Sequence, residues 1–149
     1  WRGIGHNSII PWLFKTELEL FHKLTIGKGN NAVIAGRKTM QNIPTLNNRK
    51  EIVLSNNLKS INSNRLVVNN ISQIPTEKYD DVWIIGGEKT FKYFFDTKKI
   101  KEIHILENNR NFLCNRHLSE LPPAFQEISI KKYKDKNTDI FHKIFKLPF

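Results

Sequence analysis

At 149 residues the chain is long enough to bury a core as one domain without disulfide staples, and its one cysteine, Cys114, excludes an internal disulfide. No apolar run of about 20 residues and no signal peptide is present, which argues against a membrane span or secretion and points to a reducing compartment, cytoplasm or organellar matrix. The formal charge of +10, from 24 Lys and Arg against 14 Asp and Glu, favours anionic company: phosphorylated cofactors, carboxylate-bearing substrates or nucleic acid.

The opening stretch from Gly3 to Trp12 carries Gly3, Gly5, Pro11 and several turn formers and reads as a surface loop. Thr16 is placed to cap a helix, with Glu19 three residues later completing a capping box. On that helix Glu17, Phe21 and Leu24 share one face with Leu18 beside them, so a carboxylate falls where apolar groups should be buried. It either reaches solvent from the first turn or is held in an apolar pocket to bind or protonate a ligand; the residues alone tilt toward the first.

The apolar run Ala32-Val33-Ile34-Ala35 predicts a strand buried on both faces, ended by Gly36 and followed by a short helix with Arg37, Lys38 and Thr39 in its first turn. Two cations and a hydroxyl there suit phosphate groups. Pro44 closes that helix, Asn47-Asn48-Arg49 makes a turn, Glu51 to Ser55 a third strand, Arg65 to Val68 a fourth, and Ile71 to Ile74 one helical turn stopped by Pro75. Val82-Trp83-Ile84-Ile85 repeats the buried-strand pattern and runs into Gly86-Gly87, after which Phe91, Phe94 and Phe95 recur at helical spacing. Glycines let a phosphate or a flat ring approach the backbone; a tight turn with no ligand is an equal alternative on this stretch alone.

Lys101 to Leu106, Ala124 to Ile130 and Thr138 to Phe145 complete the strands, the last two alternating as a hairpin with one wet face. Strands that alternate with helices early and pair as a hairpin late predict a single α/β domain over residues 1–149, with a central mixed, mostly parallel β-sheet flanked by helices and a C-terminal antiparallel hairpin. No phosphate-loop motif, paired-cysteine zinc motif, metal-binding His pair or catalytic triad is visible, so no metal is expected, and lone histidines such as His104 read as structural. The lysines at 98, 99 and 101 and at 131, 132, 134 and 136 read as a solvated surface; nucleic acid or a larger assembly is admitted as partner but not favoured.

Five pieces in order resemble dihydrofolate reductase from Gly3 to about Phe145. They are Gly3-Ile4-Gly5 with Ile10-Pro11-Trp12; Glu17-Leu18 with Phe21 and Thr25; Gly36-Arg37-Lys38-Thr39 with Ile43-Pro44; Asn48-Arg49 before Ile52-Val53-Leu54-Ser55; and Ile84-Ile85-Gly86-Gly87. The resemblance implies NADPH-dependent reduction of dihydrofolate to tetrahydrofolate by hydride transfer. It implies that Glu17 holds the pterin ring and assists its protonation, with Trp12 holding an ordered water beside it. Leu18, Phe21, Ile43, Leu46 and Ile85 would line the apolar walls, and Arg49 would pair with the substrate's glutamate carboxylate. On the cofactor side Arg37, Lys38 and Thr39 would bind phosphates, with Ser55 and Asn56 near the adenosine end. Gly36, Gly86 and Gly87 would let NADPH lie against the backbone, Phe91 takes the place of a common tyrosine, and Ile4 and Gly5 belong to a loop that closes over the nicotinamide. Leu106 stands where the family usually has a threonine, and the family's first β-strand would precede residue 1. Two other readings compete. One is a reductase fold serving as a structural or binding component of a larger, RNA-containing assembly; the other is the related reductase of riboflavin synthesis, against which Pro11-Trp12, Glu17 and Arg49 argue.

Overall fold

The computed structural model describes residues 3–6, 10–12, 14–56 and 65–148. In chain order they form β1 (Gly3–Gly5), α1 (Lys15–Ile26), β2 (Asn31–Gly36), α2 (Arg37–Gln41), β3 (Arg49–Leu54), β4 (Arg65–Val68), β5 (Val82–Gly86), α3 (Glu88–Thr97), β6 (Glu102–Asn108), β7 (Arg116–His117), β8 (Gln126–Asp135) and β9 (Thr138–Lys146). The uninterrupted apolar runs behave as expected: Ala32, Val33 and Ala35 are 0% exposed, because β2 has a parallel neighbour on each edge and a packed layer on each face. One layer gathers Ala32, Ile34, Ile52, Val68 and Phe94; the other gathers Ala35, Met40 and Val53, with Ile43 and Ile85 against them. Each Ile or Val so buried contributes about 1.5–3 kcal/mol.

The α/β architecture is that expected, in parts that share no ladder. A parallel sheet runs β4-β3-β2-β5, an antiparallel sheet runs β6-β9-β8, and β1 pairs with β7. Among the described residues β5 and β6 each pair along one edge only, and the two larger sheets meet where the Trp83 and His104 rings lie 5.0 Å apart. Gly3–Gly5, expected in a loop, is a strand, because Arg116–His117 provides a ladder that sequence spacing does not reveal. Strand β8 runs on through Lys131, Lys132 and Lys134, where Lys132 and Lys134 reach Asp139 of β9 at 3.7 and 3.8 Å. No helix among the described residues is long and apolar enough to cross a membrane.

The first helix departs from its expected cap. It begins at Lys15 with Phe14 as N-cap, and Thr16 sits inside the first turn. The Thr16 amide donates to Asp135 Oδ2 at 2.9 Å, and its hydroxyl to the Lys134 carbonyl at 3.2 Å. Glu19 faces Lys15 at 3.8 Å instead of closing a capping box. A carboxylate delivered by the β8–β9 turn satisfies an orphan N–H at the positive helix end more strongly than a hydroxyl does. At the other end Gly27, at φ 54°, turns the chain, and the buried Asn31 side chain donates to the Thr25 carbonyl at 3.0 Å while accepting from the Asp81 amide at 3.0 Å. A Cβ on Gly27 would stand 2.8 Å from Asn31 Nδ2, so this turn requires glycine on two counts.

The β6–β9 register also joins two histidines that lie 38 positions apart, with His104 Nδ1 and His142 Nε2 separated by 2.9 Å and His104 Nε2 held by Glu102 at 2.9 Å. Burial first, then the neighbouring His104, pushes the His142 pKa down. No group of three or more metal-ligating side chains is assembled among the described residues.

Replacing the distant cap by Asp135→Ala is expected to lower unfolding stability by about 1 kcal/mol and to speed exchange of the Thr16 amide, whereas Asp135→Asn, which keeps an acceptor, loses less. Urea unfolding with amide exchange checks both.

Candidate functional site

Glu17 lies in the first turn of α1, and its carboxylate faces the indole of Trp12. Trp12 Nε1 donates to Oε1 at 3.1 Å and to Oε2 at 3.2 Å. Burial raises the Glu17 pKa, and the Trp12 hydrogen bond opposes that only in part. The carboxylate is thus half-buried against an indole and does not simply reach solvent from the first turn. Leu18, 45% exposed on the same turn, leaves an apolar side chain open beside it. Phe112, absent from the sequence-based set, packs on Trp12 at 5.3 Å and near Phe14 at 6.2 Å, so an aromatic wall covers this end of the site.

One and two turns further along α1, Phe21, His22 and Thr25 face the start of β3. Arg49 donates through Nη1 to His22 Nδ1 at 3.0 Å and to Thr25 Oγ1 at 2.9 Å, and through Nε to the Asn47 carbonyl at 2.9 Å. Thr25 in turn donates to the Phe21 carbonyl at 2.8 Å. The bond from Arg49 fixes His22 with its proton on Nε2, and burial followed by the Arg49 charge lowers its pKa. Three bonds to two of its three nitrogens leave Arg49 oriented, with Nη2 making none among the described residues. Beside it opens a cavity of about 250 Å³ lined by residues 45–51. Leu46 is 6% exposed at this segment, and Ile43 and Ile85 each pack against the layer of Ala35, Met40 and Val53.

The two glycine-ended strands of the sequence converge at one sheet edge, since Ala35 is level with Gly86 in the β2–β5 register. A Cβ on Gly87 would lie 3.2 Å from Thr39 Oγ1, and one on Gly36 would lie 2.9 Å from Thr90 Oγ1, so the β2–α2 and β5–α3 turns pack against each other through Thr39 and Thr90 and leave no room for a side chain at either glycine. Gly86 has φ 148° and follows β5 into a cis peptide with Gly87. Phe91 stands over Gly86, its Cε2 3.9 Å from where a Cβ would be. Arg37 and Lys38 are exposed on α2. Ile4 and Gly5 belong to a separate two-stranded sheet, tethered to the same edge because the His117 amide donates to Glu88 at 3.3 Å and Arg116 approaches it at 3.9 Å. Ser55, whose amide donates to the Val68 carbonyl at 2.9 Å, and exposed Asn56 follow β3. Residues 7–9 of the expected closing loop lie outside the described residues.

A family profile described as dihydrofolate reductase matches residues 2–147. The chain is 30% identical over 153 residues to the dihydrofolate reductase of Bos taurus, covering 89% of this chain and 76% of that one. It is 30% identical over 110 residues to the dihydrofolate reductase of Ureaplasma parvum, covering 71% and 69%. It is 29% identical over 140 residues to a bifunctional dihydrofolate reductase-thymidylate synthase of Paramecium tetraurelia, covering 91% of this chain and 30% of that protein.

Because the folded pKa of Glu17 lies above its unfolded value, the fold favours the neutral carboxyl; its contribution is complete below about 4.5 and is lost as pH rises through the folded value. Glu17→Gln is therefore expected to raise the thermal midpoint at about pH 7 and to leave it unchanged near pH 4. Thermal unfolding at the two pH values checks this, and an equal gain at both would assign the effect to packing.

Proposed function

Since the chain belongs to the dihydrofolate reductase family of oxidoreductases, we propose that it reduces dihydrofolate to tetrahydrofolate with NADPH as reductant, and that the site assembled above carries the reaction. The half-buried Glu17 beneath Trp12, with its raised pKa, carries this assignment. A carboxylate whose pKa is raised by burial is suited to accept hydrogen bonds from the amino group and ring nitrogen of a pterin and to assist protonation next to the carbon that receives hydride. Trp12 holds the carboxyl in one orientation, while Leu18, Phe21, Ile43, Leu46 and Ile85 exclude water around a flat ring. Arg49, already oriented by His22, Thr25 and Asn47, offers its remaining nitrogen to the carboxylate of the substrate's glutamate tail.

The glycine turns at Gly36, Gly86 and Gly87 suit a nicotinamide dinucleotide, because glycines allow close approach to the backbone and Arg37, Lys38 and Thr39 stand beside them for phosphates. Bound there, NADPH supplies the hydride. Ser55 and Asn56 would serve the adenosine end, Phe91 the nicotinamide side, and Ile4 and Gly5 the cover. These exposed cations give the net charge of +10 a role in recruiting an anionic cofactor. Family membership weighs against the scaffold alternative, and the internal pairing of Lys132 and Lys134 with Asp139 weighs against a dedicated nucleic-acid face.

NADPH oxidation followed by absorbance, with dihydrofolate as co-substrate, tests this reading directly. Turnover is expected, and a folded chain that neither oxidises nor binds NADPH would overturn it. Glu17→Gln is expected to lower kcat at neutral pH by about 100-fold or more while NADPH affinity stays within about two-fold. Arg49→Lys is expected to raise the KM for dihydrofolate by about ten-fold with little change in kcat, because an ammonium cannot replace the fork.

A further inference from the structure

Glu51 is a charged residue in the middle of the core. It lies on β3 directly opposite Arg65 of β4, and its side chain is 3% exposed. A carboxylate so deep persists only when both oxygens are partnered. Oε2 accepts from Arg65 Nε at 2.5 Å, and Oε1 accepts from the backbone amide of Leu46 at 2.8 Å. The ion pair fixes the carboxylate, and the carboxylate fixes the chain three residues before Arg49. Glu51 also lines the cavity beside Arg49, and Arg49 and Glu51, two apart on one strand, project to the same side. The Glu51 charge favours the charged form of Arg49, against the burial that lowers its pKa.

We propose that Glu51, clamped by Arg65, is a positioning residue for substrate binding: by holding the Leu46 amide it sets the distance between the apolar wall at Leu46 and the guanidinium of Arg49, and so selects substrates with an anionic tail. Glu51 touches no substrate atom and acts through these two residues. The inference rests on the assignment of Arg49 to the glutamate tail.

The decisive variant is Glu51→Leu with Arg65→Met. Buried ion pairs exchanged for apolar residues of similar volume usually keep or gain stability, so this protein folds, yet it offers the Leu46 amide no acceptor. The KM for dihydrofolate is expected to rise about ten-fold or more, while kcat/KM for a dihydropterin lacking the glutamate tail stays within about two-fold of the native value. Glu51→Gln with Arg65→Met, whose amide oxygen can still accept from Leu46, is expected to recover the KM to within about three-fold. An unchanged KM in the first variant, or equal losses on both substrates, would overturn the proposal. If the native chain reduces neither substrate, the assignment of Arg49 falls, and the clamp is judged by hydrogen exchange. Faster exchange of the Leu46 amide in the first variant supports it, and unchanged exchange sinks it.

Discussion

Strand β2 is buried from Asn31 to Ala35: β3 and β5 occupy its edges, and packed layers cover both faces. Every polar group of its backbone must be satisfied by the neighbouring strands, because no solvent is available to replace a missing bond. That requirement sets the register, and the register decides where the strands stop. Gly36 ends level with Leu54, and Ala35 level with Gly86, so two turns that are distant in sequence open at one edge of the sheet. The meeting of the two glycine turns is thus a by-product of how the core is satisfied, placed where the carboxyl ends of parallel strands commonly receive ligands.

The second half of the site hangs on one helix. Glu17 occupies the first turn of α1, while Phe21, His22 and Thr25 follow one and two turns on, which places the half-buried carboxylate and the partners of Arg49 on a single element. Asp135 secures the helix at its start and Asn31 at its end. Such fixing keeps the distance between the acid and the guanidinium constant, so the ordering of these groups is completed on folding and not charged to binding. Glu17 itself works against stability at neutral pH, since burial disfavours its ionised form; strain of this kind is common where a group is retained for its chemistry.

What the amino-acid order disclosed was local. Unbroken apolar runs ending in glycine marked β2 and β5, because each rests on contacts within a strand, whereas the position of Glu17 on an otherwise apolar helical face left its exposure open. What it concealed were pairs made across the fold. Glu51 with Arg65, His104 with His142, Phe112 with Trp12 and Asp135 with Thr16 each depend on strand register or on a loop returning from elsewhere. The capping box at Thr16 and Glu19 satisfied every local rule and still yielded to a better acceptor brought by the tertiary structure. The Gly3–Gly5 strand was hidden for a related reason, since its partner is only two residues long and carries no strand pattern of its own.

The bond between Thr16 and Asp135 spans 119 positions, and it imposes an order on events at the ribosome. At about 5–20 residues added per second, the helix that carries Glu17 emerges roughly 6–24 seconds before the carboxylate that seals its first turn. A nascent chain therefore holds its acid on a fraying helix end until the last hairpin is made. The sealed helix end belongs to the finished polypeptide, and premature termination anywhere before residue 135 leaves the first turn of the helix without its cap.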